Sequence, residues 1–204
     1  MRIFFVRHGE SEANILKIFS NRQWKHPLTE RGREQAKALA AQLRGRGVAA
    51  IHSSPLRRAI ESAEILAGRL GVEYVIEPAL IEYDVGIYED RSDEEGWRAY
   101  ADVERQWAQG QLDARLPEGE SSLDIQNRFV PFIRRLINLY GKREDATVVL
   151  IGHGGTYRQG LPCVLGNISR KYAVEHGLAN TAVVEAELRE GVLHCVSWGD
   201  RVMA

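Results

Sequence analysis

Histidines and arginines follow the apolar runs of this sequence. In RIFFVRHGE, Arg7 and His8 come directly after an apolar run, and in VVLIGHGG, His153 follows another. A third run ends in HSSP and is followed closely by Arg58. The planar fork of a guanidinium suits a tetrahedral phosphate, and a neutral imidazole can attack phosphorus to form a phosphohistidine. These residue types predict a phosphate site in which a histidine is the nucleophile.

Such chemistry also needs a group that protonates the leaving oxygen and later activates water. The segment ALIEYDVGIYED offers Glu82, Asp84, Glu89 and Asp90. Glu82 lies among apolar residues just past a predicted strand, so we select it as the proton donor. Asp84 and Glu89 remain competitors, because geometry decides such a role. His153, if protonated, would stabilise charge on the phosphoryl oxygens.

A metal site is the main alternative for paired histidines. The sequence has no His-Glu-x-x-His motif and no cluster of cysteine and histidine, and nearby arginines would repel a cation. The two cysteines, Cys163 and Cys195, are far apart and have neither metal nor redox spacing. We therefore expect no metal and no cofactor.

The elements that must position these residues alternate along the chain. Apolar and β-branched runs predict strands at 2–6, 49–51, 74–76 and 146–151. Two further runs flank residues 189–191 and predict a C-terminal hairpin. Because ligands bind outside the carboxyl ends of the strands in open α/β sheets, the histidines and arginines are expected to meet in one crevice.

Helices are predicted between the strands. Thr29 is a candidate N-cap for the first long helix. Ser54 followed by Pro55 predicts the start of a second helix, which would end at Gly71. A strong apolar stripe over 125–140 predicts a third. The alternation indicates a three-layer α/β/α sandwich with a mostly parallel central sheet, closed by the hairpin.

Composition limits the class of protein. The chain has 204 residues, 44% of them hydrophobic, and a formal net charge of −1. We expect one domain over 1–204, with a cap-like helical insertion at roughly 88–118. Trp97, Tyr100 and Trp107 are expected on this insertion, where they would pack on substrate or on each other. The sequence shows no excess of positive charge that would indicate a nucleic-acid partner, no apolar run long enough to span a membrane and no signal peptide. We therefore expect a cytoplasmic protein without nucleic acid or membrane partners. A homodimer is left open.

Ordered motifs along nearly the whole chain resemble those of the histidine phosphatase superfamily, the phosphoglycerate mutase-like enzymes. They are RHGE with Asn14, PLTERGREQA, SSPLRRAIESA, LIEYDVG, GESSLDIQNR and GHGG. The resemblance implies a phosphoglycerate mutase-like fold without a metal. It also implies that His8 is phosphorylated and that Glu82 donates the proton. The other residues that it implies in the pocket are Arg7, Arg58, His153, Asn14 and Gly154.

The resemblance leaves the substrate undefined. Many members have glycine and aspartate before PLT, where this chain has Arg22 and Lys25. These cations suggest that Arg22 binds a second anionic group of the substrate; a solvated basic loop is the alternative. We expect a phosphomonoesterase that acts on a small phosphorylated metabolite. The alternatives are a mutase and a non-catalytic phospho-ligand binding module. The family's cofactor-dependent mutases usually carry a longer segment between the proton donor and the second histidine than this chain does.

Overall fold

The computed structural model describes residues 1–203, which form seven strands and seven α-helices. The strands are β1 (Arg2–Arg7), β2 (Val48–Ser53), β3 (Tyr74–Ile76), β4 (Thr147–Gly152), β5 (Val183–Arg189), β6 (Val192–Trp198) and β7 (Arg201–Val202). The helices are α1 (Glu12–Leu16), α2 (Glu30–Gln42), α3 (Arg57–Leu70), α4 (Glu94–Ala108), α5 (Ser122–Tyr140), α6 (Gly154–Gly160) and α7 (Arg170–Glu175).

One mixed sheet of seven strands has the order β3-β2-β4-β1-β5-β6-β7. The first four strands in this order run parallel, and the C-terminal strands add to β1 in antiparallel fashion. Arg7 at the end of β1 lies opposite Gly152 at the end of β4, and Ser53 at the end of β2 lies opposite Ile151. The three strand ends that carry the candidate chemistry are therefore neighbours, as the sequence predicts.

Alternate residues of the central strands face two different cores. Phe4 and Val6 of β1 pack with α2 and α3 in one apolar cluster. Ile3 and Phe5 of β1 pack with α5 in another. Since side chains of a strand alternate between the two faces of a sheet, this division gives the three-layer α/β/α sandwich, and the predicted fold class is confirmed.

Two of the three helix ends predicted from capping residues are confirmed, and one is wrong. Thr29 is the N-cap of α2, where its side chain accepts a hydrogen bond from the N–H of Gly32. Gly71 ends α3 in the left-handed region at φ 69°, a conformation that glycine adopts without strain. The predicted start at Ser54 and Pro55 is wrong, because α3 begins at Arg57 with Leu56 as N-cap.

Helix α4 lies within the segment in which the insertion is predicted. Its residues Val103 and Trp107 join a third apolar cluster with Phe19, Tyr83 and Ile125. This cluster fixes α4 beside the strand ends instead of against either face of the sheet. Within residues 1–203, no helix has the length and apolar character needed to cross a membrane.

Candidate active site

A cavity of about 270 Å³ opens at the carboxyl ends of β1 and β4. Most of the site residues predicted from the sequence line it, namely Arg7, His8, Asn14, Arg58, Glu82 and Gly154. Two predicted residues are not part of its wall. His153 lies directly behind the wall, against His8 and Arg58, and Arg22 lies outside it.

His8 has a defined tautomer. Its Nδ1 lies 2.6 Å from the carbonyl oxygen of Gly9, and because a carbonyl only accepts hydrogen bonds, Nδ1 carries the proton. Nε2 is then unprotonated and accepts a hydrogen bond from Nε of Arg58 at 3.0 Å. Burial, followed by the charges of Arg58 and Arg7, lowers the pKa of His8 well below its usual value. The imidazole is therefore neutral near pH 7, with its lone pair on Nε2.

Arg58 connects both histidines to the loop before α2. It is 5% exposed and donates from Nη1 to the carbonyl oxygen of Ser20 at 2.6 Å. Its Nη2 lies 3.3 Å from Nδ1 of His153. Burial lowers the pKa of Arg58 to about 10, so the guanidinium remains charged near neutral pH.

His153 is held between Arg58 and Ser54, and its ring centroid lies 5.0 Å from that of His8. Because Nη2 of Arg58 can only donate, Nδ1 of His153 accepts, and Nε2 donates to Oγ of Ser54 at 2.7 Å. Burial and the neighbouring charge of Arg58 lower the pKa of His153 well below its usual value. His153 is thus neutral in this structure, and the positive charge beside His8 comes from arginine.

Arg7 is anchored by the loop after α7. Its Nη1 donates to the carbonyl oxygen of Leu178 at 2.6 Å, while its buried Nε has no hydrogen-bond partner within residues 1–203. Asn180 of the same loop donates to the carbonyl oxygen of His8 and to Oδ1 of Asn14, both at 3.1 Å. This loop therefore fixes one side of the site. The sequence contains no local signal that identifies Asn180.

The carboxylate of Glu82, a residue of the segment after β3, lies at the N-terminal end of α6. Its carboxylate accepts hydrogen bonds from the backbone N–H groups of Gly155 at 2.9 Å and Thr156 at 2.7 Å. The competing carboxylates have other partners. Glu89 accepts from the backbone N–H groups of Asn21 and Arg22, and neither it nor Asp84 lines the cavity. Of the three candidate proton donors, only Glu82 reaches the cavity wall.

The two cations before PLT are paired with acidic residues. Arg22 forms an ion pair with Asp84 through Nε at 2.9 Å and Nη2 at 2.8 Å. Lys25 lies 2.6 Å from Asp90. Asp84 accepts from two nitrogen atoms of Arg22, and this pair ties two loops together outside the cavity. That Arg22 binds a second anionic group of the substrate stays a prediction.

The two glycines after His153 differ in how much space they have. A Cβ at Gly154 would lie 3.7 Å from the side chain of Arg7, an ordinary contact. A Cβ at Gly155 would lie 2.4 Å from the ring of Tyr83 and 2.8 Å from Oε1 of Glu82. Gly155, which the sequence-based selection does not include, is therefore the position where the close approach of Glu82 requires glycine.

Helix α4 contributes aromatic residues to the cavity wall. Trp97 and Tyr100 line the cavity together with Phe19, and the rings of Phe19 and Trp97 lie 4.3 Å apart. Trp107 is buried instead, with its ring 5.2 Å from that of Tyr83. Arg158 of α6 also lines the cavity; its helical position after His153 is the only signal in the sequence that could have identified it.

The fold and the site together define a class of α/β protein that holds a neutral histidine between arginines at the carboxyl ends of parallel strands. The sequence matches the family described as the histidine phosphatase superfamily (branch 1) over residues 3–201. The chain belongs to this superfamily, whose members are phosphatases or mutases.

Relatives carry names of both kinds. The chain is 33% identical over 174 residues to a probable phosphoglycerate mutase GpmB of Cronobacter sakazakii, covering 82% of this chain and 74% of the relative. It is 26% identical to the structure of a mycobacterial glucosyl-3-phosphoglycerate phosphatase in complex with VO3, with a TM-score of 0.82 and coverage of 98% and 99%. It is 25% identical to Bacillus stearothermophilus YhfR, with a TM-score of 0.83 and coverage of 98% and 97%.

Proposed function

We propose that this protein is a metal-independent phosphomonoesterase that acts on a small phosphorylated metabolite through a phosphohistidine at His8. The observation that carries the proposal is the unprotonated Nε2 of His8, which faces Arg58 at 3.0 Å in a cavity that Arg7 and Glu82 also line. A neutral nucleophile between two cations is the arrangement that attack on a phosphate dianion requires.

In the first step, Arg7 and Arg58 bind the phosphoryl oxygens. The Nε–H of Arg58 exchanges its hydrogen bond to Nε2 of His8 for one to a phosphoryl oxygen. The lone pair of Nε2 is then free to attack. The bond from Nε2 to phosphorus forms as the bond to the leaving oxygen breaks, and protonated Glu82 gives its proton to that oxygen. Asn14 lines the same cavity and borders the bound group.

In the second step, water attacks the phosphohistidine. Glu82, now a carboxylate, takes a proton from the water as its oxygen bonds to phosphorus. The bond between phosphorus and Nε2 breaks, phosphate leaves, and the protonated Glu82 and neutral His8 are restored. His153 supports both steps by accepting the hydrogen bond that orients Arg58.

A mutase is the second candidate, because the GpmB relatives are named probable phosphoglycerate mutases. It would share the first step and return the phosphoryl group to another hydroxyl. Hydrolysis is favoured because, within residues 1–203, the cavity wall has no unpaired cation left for the carboxylate of a phosphoglycerate. Arg7 and Arg58 bind the phosphate, and Arg158 is paired with Glu104.

Phosphate release separates these functions. We would measure it from p-nitrophenyl phosphate and from 3-phosphoglycerate, with a chelator present, for the wild type and His8→Ala. We expect chelator-resistant release that His8→Ala abolishes. Interconversion of phosphoglycerates without release would instead support the mutase, and release that persists in His8→Ala would refute the mechanism.

A further inference from the structure

The lining of the cavity includes apolar side chains as well as the polar groups around His8. These aromatic and aliphatic residues, called the apolar wall below, are Ala13, Ile18, Phe19, Trp97, Tyr100 and Leu178. The ring of Phe19 lies 4.3 Å from Trp97 and 5.4 Å from Tyr100. Such a wall gains most from covering an apolar, planar part of a ligand.

Arg158 is the one further cation among the residues that line the cavity, and its charge is matched. Its Nη1 forms an ion pair with Glu104 of α4, and Glu104 also accepts a hydrogen bond from the hydroxyl of Tyr83 at 3.3 Å. Burial opposes the charge of Arg158, but Glu104 together with Tyr100, Tyr83 and Glu82 outweighs it, so the pKa of Arg158 rises above its usual value.

The charged groups of the cavity balance one another when a phosphate is bound. Arg7 and Arg58 together match the two negative charges of a phosphate dianion, Glu82 is neutral while it holds the proton that the proposed first step requires, and the ion pair of Arg158 with Glu104 is neutral. The nearby cation Lys17 contributes its carbonyl oxygen, which accepts from Nε1 of Trp97 at 2.9 Å, and its ammonium group does not line the cavity. A second anion beside Arg158 would therefore also face Glu104 and have no cation of its own.

Arg158 can still donate to a neutral group. Glu104 accepts from Nη1, one of the nitrogen atoms of a guanidinium that carries five N–H donors. Because the Arg158 side chain lines the cavity, a carbonyl or hydroxyl oxygen of an uncharged leaving group can accept from another of these donors.

We propose that Glu104 determines substrate charge: by neutralising Arg158, it makes the site select phosphomonoesters whose leaving group is uncharged and planar over those whose leaving group carries a carboxylate. This inference rests on the proposed function, because it assigns the apolar wall and Arg158 to the leaving group. It deepens that proposal by adding a residue of α4 that touches neither the phosphate nor His8.

Binding of two matched, non-hydrolysable ligands tests the proposal by calorimetry. 4-Carbamoylphenylphosphonate and 4-carboxyphenylphosphonate have nearly the same shape and differ by one charge. The wild type is expected to bind the carbamoyl compound roughly tenfold more tightly. Glu104→Gln is expected to remove most of this preference, because Arg158 then has a free positive charge for the carboxylate.

Two further variants make the test specific. Glu94→Gln removes the same charge from an exposed position of α4 that pairs with Arg98, and it should leave the preference unchanged. Arg158→Gln leaves Glu104 unpaired and should widen the preference, the opposite of Glu104→Gln. This variant keeps the proposal testable even if Glu104→Gln does not fold.

Equal binding of the two ligands by the wild type, or a preference that neither Glu104→Gln nor Arg158→Gln shifts, would overturn the proposal. These results are independent of turnover. If the protein binds the ligands as expected but releases no phosphate from any ester, the proposed function fails while the charge selection stands. If it releases phosphate but shows no charge preference, only this inference fails.

Discussion

At the scale of single residues, the hydrogen bond from Nδ1 of His8 to the carbonyl oxygen of Gly9 leaves the lone pair on Nε2, the nitrogen that attacks phosphorus in the proposed mechanism. Burial, followed by the charges of Arg58 and Arg7, lowers the pKa of His8 and keeps the ring neutral. His153 is neutral for the same reasons. Since a buried neutral histidine resists protonation, the same contacts that prepare the nucleophile also make the folded state sensitive to acid.

This sensitivity predicts how stability depends on pH. The pKa values of His8 and His153 are lower in the folded than in the unfolded state, so the unfolded state binds more protons below about pH 6.5. Stability should be complete above that pH and fall as the pH decreases, by at most about 1.4 kcal/mol per pH unit for each histidine. Urea unfolding of His153→Gln should show a shallower loss between about pH 6.5 and 5.5 than the wild type. Equal slopes would contradict the assignment.

Gly155 allows a second test at this scale. A methyl group there would press against Tyr83 and Glu82, so Gly155→Ala should lower the free energy of unfolding by about 1–3 kcal/mol and reduce phosphate release. Gly154→Ala, one residue earlier, has room for the methyl group and serves as the control for stability in urea unfolding. Equal stability of both variants would contradict the close packing of Tyr83 and Glu82 against Gly155.

At the scale of elements, two chain segments are fastened together beside the site. The carboxylate of Glu89, with 9% of its side chain exposed, accepts from the backbone N–H groups of Asn21 and Arg22. The preceding carbonyl, that of Ser20, accepts from Arg58. The position of the Arg58 guanidinium thus depends on a loop that Glu89 holds in place.

We therefore expect Glu89→Ala to reduce kcat/KM for p-nitrophenyl phosphate roughly tenfold or more, because small displacements of a positioned group are costly. Asp90→Asn is the control, since Asp90 is 55% exposed and pairs with Lys25, and asparagine tolerates the left-handed backbone at φ 66°. Hydrogen exchange over residues 18–22 should accelerate in the first variant alone. Equal activity of the two variants would show that the loop is held by other contacts.

The same scale shows which elements can be predicted from sequence. Thr29 and Gly71 act through neighbours a few residues away, and both helix ends are confirmed. Ser54 resembles an equally good cap, and its hydroxyl accepts from the backbone N–H of Leu56 at 3.3 Å. It also accepts from His153, which lies 99 positions later, and α3 starts only at Arg57. The ion pair of Arg22 with Asp84 spans 62 positions. Such long-range partners leave no local pattern, so most residues that line the cavity were predictable and their supporting contacts were not.

At the scale of the whole molecule, the single domain and the homodimer stay predictions. Trp97 and Trp107 lie on α4, whereas Trp198 ends β6. If the chain is one cooperative domain, unfolding followed by tryptophan fluorescence and by far-ultraviolet circular dichroism should give one coincident transition. Separate transitions would indicate that the segment around α4 unfolds independently. Sedimentation at several concentrations would test the homodimer.

Metal removal is a further test on the whole protein. Within residues 1–203, no group of three or more histidine, cysteine, aspartate or glutamate side chains could hold a metal ion. In the proposed mechanism Arg7 and Arg58 supply the positive charge at the phosphate, so prolonged dialysis against a chelator should leave the rate of phosphate release unchanged. A loss that added metal restores would contradict the proposed chemistry.

The most direct measurement is mass spectrometry of a trapped phosphoenzyme. p-Nitrophenolate leaves without a proton, so Glu82→Gln should still be phosphorylated by p-nitrophenyl phosphate, while attack by water is slowed and the intermediate accumulates. After quenching in alkaline denaturant, we expect one phosphoryl group on the peptide that contains His8. Acid should remove this group, and the double variant with Glu82→Gln and His8→Ala should lack it. A phosphoryl group on another residue, or phosphate release by the wild type with none trapped in Glu82→Gln, would contradict catalysis by His8.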